Sequence, residues 1–199
     1  MAFFSFFRPL ARLIPGNYAA EPKEAQLLYE KLVIQSRQPL FYEKLHVPDT
    51  VEGRYDVITL HMFAILRRLK AGPEKAGDLG QALFNTMLQD MDDNLREMGV
   101  GDLRVGKKMR ELGEIFYGRV TAYEKAMPEM AEGELHPLEE ALARNFRPLT
   151  SEEDGEGGEA PGVAASALAA YLQKTITLLE AQDIADIAKG RISFPDISS

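Results

Sequence analysis

Apolar residues recur along this chain with the period of an α-helix, and no segment has the strict alternation of a half-buried strand. The clearest run is Phe84, Met87, Leu88, Met91, Leu95 and Met98, spaced i, i+3, i+4, i+7, i+11 and i+14, which puts all six on one helical face. Gly99 is a natural stop for that helix. A second stripe, Val105, Met109, Leu112, Phe116, Val120, Tyr123 and Met127, predicts a helix over about 105–127 that Pro128 ends. Earlier in the chain, Pro22 opens a helix from Lys23 to Arg37 with Leu28 and Leu32 one turn apart, and Pro39 closes it. Residues 39–56 read as a polar connection with turn formers at Pro48, Asp49, Thr50 and Gly53. A helix from about Tyr55 to Lys70 follows, closed by Ala71, Gly72 and Pro73. A shorter helix spans Pro137 to Phe146. The last runs from Val163 to Lys189 with Leu168, Tyr171, Leu172, Thr175 and Leu179 aligned, Gly190 as its stop and an extended tail after it. The expectation is an all-α fold of about six helices, one compact domain over residues 21–199.

Charge is unevenly placed. The net charge of −8 arises wholly between Pro128 and Ala160, where ten acids face two bases, and the rest of the 199 residues is balanced. Within that region residues 151–162, SEEDGEGGEAPG, are acidic and Gly-rich and read as a mobile loop before the last helix. An acidic total argues against general or sequence-specific nucleic-acid binding. There is no cysteine, so disulfides, Fe–S clusters and thiolate zinc sites are excluded. No apolar run approaches the roughly 20 residues that cross a bilayer.

Residues 1–20 form a separate amphipathic segment. Phe3, Phe6, Phe7, Leu10, Leu13 and Ile14 share one helical face, opposite Ser5, Arg8 and Arg12, with a kink expected at Pro9. Phe3, Phe6, Phe7, Leu10, Arg8 and Arg12 are therefore candidate membrane-contacting residues; the other reading packs the same face on the protein's own core. No basic stretch precedes the apolar residues, and Arg and Ser are too few for a mitochondrial presequence, so a bacterial cytoplasmic protein is expected.

Candidate chemistry is sparse. The acidic stretch QDMDDNL (89–95) suggests the Asp-rich motifs with which all-helical isoprenoid synthases hold Mg²⁺. Its geometry is poor: Asp90 and Asp92 point about 160° apart at 100° per residue, and a DDxxD register from Asp92 ends on Arg96. The simpler reading is a solvated face with Asp92 and Arg96 paired at i, i+4. Of the three histidines, His46, His61 and His136, none has a second ligand at metal spacing, and His61 lies in an apolar helix as a hydrogen-bonded core or interface residue. There is no GxSxG, P-loop or GxGxxG followed by a helix. Arg104, Lys107, Lys108 and Arg110 form a small basic cluster able to touch lipid or RNA phosphate, yet with Glu111 and Glu114 close by they read first as a solvated face. Six of the eight methionines lie between Met87 and Met130, and their spacing puts Met91 and Met109 in the core rather than on an adaptable binding surface.

Several blocks, in order, carry a family likeness. VPDTVEGRYDVITLHMFAILRRL (47–69), DMDDNLREMGVGDLRVGKKMRELGEIFYGRVTAYEKAM (90–127) and GRISFPD (190–196) resemble the ubiquinol–cytochrome c chaperone family, of the shorter alphaproteobacterial type. The resemblance implies a helical, non-enzymatic protein with no cofactor and no metal. It implies an assembly factor for the cytochrome bc1 complex whose client is newly made cytochrome b, with a small accessory protein or the ribosome as further partners. A client that is itself being inserted into the bilayer, together with the amphipathic N-terminal segment, sets the expected location at the inner face of the cytoplasmic membrane, in weak contact with anionic lipid. The patterned residues are Asp49, Gly53, Arg54, Asp56, His61, Arg96, Gly99, Gly118, Arg119 and Tyr123. Of these, Asp49, Arg54, Asp56, His61, Arg96, Arg119 and Tyr123 are candidates for client or partner contact, while Gly53 and Gly99 suit turn and helix-stop positions. The alternative from another class is a Mg²⁺-dependent prenyl-transferring enzyme using Asp90, Asp92 and Asp93.

Overall fold

The sequence VITLHMFAIL offers no polar face, and a helix that is apolar all round must be buried. In the computed structural model this stretch is the centre of the molecule. The structure describes residues 22–131, 134–145 and 161–197. Among them are eight helical segments and no strand: α1 (Lys23–Ser36), α2 (Leu40–Glu43), α3 (Val51–Lys70), α4 (Glu74–Glu97), α5 (Asp102–Ala131), α6 (His136–Asn145), α7 (Pro161–Ala181) and α8 (Ile184–Ile187). α1, α4, α5 and α7 all pack on α3, and α6 packs between α5 and α7. The residue range 151–160 and the apolar face of residues 1–20 lie outside the described residues.

The stripes on α4 and α5 face each other and the core. Phe84, Met87 and Leu88 of α4 are buried, as are Val105, Met109, Phe116, Val120, Tyr123 and Met127 of α5. The Phe84 and Phe116 rings meet at 5.1 Å. Each such side chain contributes roughly 1.5–3 kcal/mol by leaving water. The pairing loosens toward the α4–α5 turn: Met91, Leu95 and Leu112 are half-buried, and Met98, though on the same stripe, is exposed.

Three boundaries differ from the pattern. α3 begins at Val51 rather than Tyr55, because the Thr50 hydroxyl accepts the Gly53 N–H at 3.1 Å and caps the helix. Gly53 is thus not a turn residue. It lies in the first turn of α3, where a Cβ would sit 2.0 Å from the Pro48 carbonyl oxygen. The supposed polar connection contains α2, which buries Phe41. α5 does not stop at Pro128 but runs on to Ala131, with Pro128 inside its last turn.

The last helix is broken. α7 ends at Ala181, and Asp183 caps α8 by accepting the Ala185 N–H at 2.9 Å. Arg68 of α3 closes the end of α7, donating to the carbonyls of Leu179 (2.8 Å) and Gln182 (3.0 Å). The Gln182 side-chain amide then holds both the N–H and the carbonyl of Ser193, each at 2.9 Å. Gly190, at φ +76°, turns the chain against Leu27, and a Cβ there would lie 2.7 Å from the Leu27 Cβ. The extended tail is therefore docked, with Ile192 buried.

Two glycines in helices should respond oppositely to alanine. At Gly53 the added methyl meets a backbone carbonyl, so Gly53→Ala is expected to lower stability by about 1–3 kcal/mol. Gly118, inside α5, has open space where a Cβ would stand, so Gly118→Ala is expected to raise stability by up to about 1 kcal/mol. Urea unfolding of the two variants beside the parent measures both; shifts of the same sign would refute this account.

Candidate functional site

A buried helix can carry polar side chains only if its neighbours satisfy them. α3 carries two such sites. At the first, Asp56 meets Arg119 of α5, Oδ1 to Nη2 at 2.5 Å, with both side chains largely buried. The contact is a close ion pair without an aligned hydrogen bond to that oxygen. The guanidinium also lies 5.8 Å above the Tyr55 ring, whose hydroxyl donates to the Leu112 carbonyl at 2.8 Å. One turn beyond Arg119, the fully buried Tyr123 packs on Phe63 at 5.6 Å and accepts a hydrogen bond from Asn145 of α6 at 3.3 Å. Burial pushes the Asp56 carboxyl up to about 7, against the opposing pull of Arg119 and with a small push from Glu52.

At the second site His61 is fully buried. Its Nδ1 lies 2.7 Å from the Val57 carbonyl, which can only accept, so Nδ1 carries the proton. That proton is shared with the Ser36 hydroxyl oxygen at 3.2 Å, while Ser36 donates to the Leu32 carbonyl. Nε2 is then the acceptor, taking the Tyr171 hydroxyl proton at 2.8 Å. The Tyr171 oxygen in turn accepts from Gln35 at 3.1 Å. Phe41, Tyr171 and Phe194 close round the imidazole edge-on, at 5.5, 5.6 and 5.2 Å. Burial lowers the His61 pKa to about 4, so the ring is neutral. This network joins α1, α3, α7 and the tail.

The seven candidate contact residues thus separate. Asp56, His61 and Tyr123 are buried and Arg119 is half-buried, and all four join helices. Asp49 and Arg54 form an exposed ion pair at 2.7 Å just before and within α3, with Arg54 5.4 Å over the Tyr42 ring. Arg96, at the end of α4, pairs with Asp92 at 2.6 Å and with Asp102 at 2.5 Å. Asp92 and Arg96 pair at i, i+4 as the spacing predicts, but Asp92 is 2% exposed, so the pair is not on a solvated face; Asp93 is the exposed one of the three aspartates. Asp90 instead accepts the Tyr29 hydroxyl at 2.8 Å. The three aspartates do not converge, and among the described residues no three His, Asp or Glu side chains are gathered to hold a metal.

The pattern did not bring out the partners of His61. Tyr171 was visible as a stripe residue, but nothing in its spacing marks its hydroxyl as the donor to a histidine 110 positions away. Leu103 was missed as well. It is 99% exposed on the first turn of α5, and its signal was present, for it lies off the apolar stripe.

The molecule is a helical scaffold, with polar pairs locking its centre and charged and apolar side chains on its rim. A family model described as "Ubiquinol-cytochrome C chaperone" matches residues 43–194, and the chain belongs to that family. It is similar to the ubiquinol-cytochrome-c reductase complex assembly factor 1 of Xenopus laevis, 26% identical over 87 residues. That alignment spans 44% of each chain, less than half the length of this relative. The fold is similar to the crystal structure of the Cbp3 homolog from Brucella abortus, with a TM-score of 0.72 and 34% identity over 88% of this chain and 90% of that one.

Asp56 and His61 should bend the pH dependence of stability in opposite directions. Burial raises Asp56 from 3.8 to about 7, so its contribution is present in acid and lost as pH rises toward 7. Burial lowers His61 from 6.5 to about 4, so its contribution is present above pH 6.5 and lost as pH falls toward 4. The two slopes, each about 1.4 kcal/mol per pH unit, oppose one another in the shared window. Relative to the parent, Asp56→Asn is expected to lose stability on acidification through that window, and His61→Gln to gain it. Parallel urea-midpoint profiles for all three chains would contradict both assignments.

Proposed function

We propose that this protein is a non-enzymatic assembly chaperone for the cytochrome bc1 complex, that its client is newly made cytochrome b, and that it acts at the inner face of the cytoplasmic membrane. The observation that carries the reading is the family match over residues 43–194, which takes in α3, its Asp56–Arg119 and His61–Tyr171 pairs and most of the docked tail. The Xenopus relative named as an assembly factor of ubiquinol-cytochrome-c reductase supports the same reading. A chaperone of this kind has to present side chains to a partner rather than enclose a substrate. Asp49, Arg54 and Arg96 are the family-patterned charges that are exposed, and apolar Val51 stands exposed between the first two. Asp56, Arg119, His61 and Tyr123 serve the function by position, fixing the helices that carry those groups.

No helix among the described residues is long and apolar enough to cross a membrane. In this reading the client is met from the membrane surface. The Phe3, Phe6, Phe7 and Leu10 face, with Arg8 and Arg12 near anionic head groups, is suited to a weak and reversible hold there.

The reading is tested by deleting the gene in its own bacterium and measuring mature bc1 complex in the membrane, then restoring the parent chain or Arg54→Glu. Deletion is expected to deplete the complex, and the parent to restore it. Arg54→Glu removes only an exposed pair worth about 0–1 kcal/mol. It should leave the thermal midpoint nearly unchanged while reducing cross-linking of the chain to cytochrome b several-fold. Normal bc1 levels in the deletion strain would refute the assignment.

A further inference from the structure

The turn between α4 and α5 holds a large apolar side chain in water at a fixed position. Gly99, at φ +79°, ends α4, with the Val100 N–H returning to the Leu95 carbonyl at 3.0 Å and the Gly99 N–H to Arg96 at 2.9 Å. Val100 is half-buried against the core, and Val105 is fully buried. Two residues before Val105, Leu103 therefore projects from the opposite side of α5 and is 99% exposed. Met98, just across the turn, is 59% exposed.

Cations surround this apolar tip. Between Met98 and Arg110 stand Arg104, Lys107, Lys108 and Arg110, all exposed, and one acid, Asp102. The Asp102 carboxylate is held by Arg96 at 2.5 Å. Lys107 and Arg110 fall within about 40° of Leu103 around α5, while Arg104 and Lys108 lie about 100° and 140° from it, both on one side. Glu97 ends α4 beside the turn, whereas Glu111, which meets Lys108 at 3.1 Å and Lys107 at 3.8 Å, and Glu114 lie farther along α5. In a chain with a net charge of −8, the end bearing Leu103 is basic.

We propose that the α4–α5 corner docks on an anionic lipid surface, with Leu103 and Met98 entering the boundary between head groups and acyl chains and Arg104, Lys107, Lys108 and Arg110 meeting lipid phosphates. An exposed leucine and methionine beside a cluster of cations match that boundary in both charge and polarity. A nucleic-acid backbone would use the cations, but the corner offers no aromatic side chain for a base to stack on, and Leu103 would be left in water. The inference deepens the membrane location in the proposed function. It does not depend on the client, nor on the N-terminal segment.

Vesicle flotation with four full-length chains tests it: the parent, Phe6→Asp/Phe7→Asp, Leu103→Asp, and Arg104→Gln/Lys107→Gln/Lys108→Gln/Arg110→Gln. Vesicles of phosphatidylcholine are compared with vesicles that also contain phosphatidylglycerol. All the altered corner side chains are exposed, and an aspartate in the first turn of α5 suits the helix N-terminus, so thermal midpoints should stay near that of the parent. The parent should float with the anionic vesicles and little with the neutral ones, and added salt should release it. The fourfold change should lower partitioning by about ten-fold or more, since each cation at an anionic surface strengthens binding about five-fold. Leu103→Asp should lower it several-fold. A loss confined to Phe6→Asp/Phe7→Asp would support the N-terminal hold and overturn the corner. Parent-like flotation of both corner chains would overturn it too. If the fourfold chain loses binding to a short RNA while Leu103→Asp floats like the parent, the cations serve nucleic acid and the lipid proposal fails.

Discussion

Every residue of α3 from Tyr55 to Leu66 is buried except the half-buried Ile58. That leaves the polar groups on this helix no recourse to water, and a buried polar group without a partner costs about 1–3 kcal/mol. Asp56 finds Arg119 on α5, Thr59 turns back to the Tyr55 carbonyl, and His61 finds Ser36 on α1 and Tyr171 on α7. The polar side chains of α3 thus select a register with three neighbours. Apolar contacts alone would specify it weakly, because a leucine packed on leucines tolerates a slip that a histidine nitrogen facing a hydroxyl does not.

The tail is subordinate to the same constraint. Phe194 packs on His61, and Gln35, which binds the Tyr171 hydroxyl, also reaches the Pro195 carbonyl at 3.4 Å. A second anchor comes from Arg68, which stops α7 and so allows Gln182 to grip Ser193. The break after Ala181 follows from this arrangement. A continuous helix to Lys189 would carry Gln182 and Asp183 within the helical ladder, where neither could hold the tail or cap α8.

The helical class and the α4–α5 pairing were legible because they rest on period alone: Phe84, Met87, Phe116 and Val120 lie where the stripes put them. The buried position of His61 was legible from its apolar neighbours in sequence. What escaped depends on contacts between distant segments. Nothing in VEGRYD marks Gly53 as a point of backbone contact with Pro48, and although the i, i+4 spacing pairs Asp92 with Arg96, nothing in QDMDDNL says that Asp92 is buried or that Asp90 takes the Tyr29 hydroxyl. Family likeness selected residues that matter without saying how. It grouped Asp49 and Arg54, which face water, with Asp56 and His61, which never do.

That grouping bears on how such a protein handles a client. Opening the core to receive a hydrophobic segment would strand Asp56 and Arg119, and with them His61 and Tyr171, in a half-dismantled interior. Breaking one partner from a buried ion pair alone costs about 3–5 kcal/mol. Binding on the rim requires no such opening. The side chains there, Val51 and Arg54 at the start of α3 and Met98 and Leu103 at the α4–α5 corner, contribute little to folding because they are already exposed. They stand at helix ends, α3 capped by Thr50 and α4 closed at Gly99, while the buried polar pairs tie α3 to α1, α5 and α7. In the proposed reading stability and contact fall to different residues of the same helices, so a change on the rim leaves the pairs on α3 untouched.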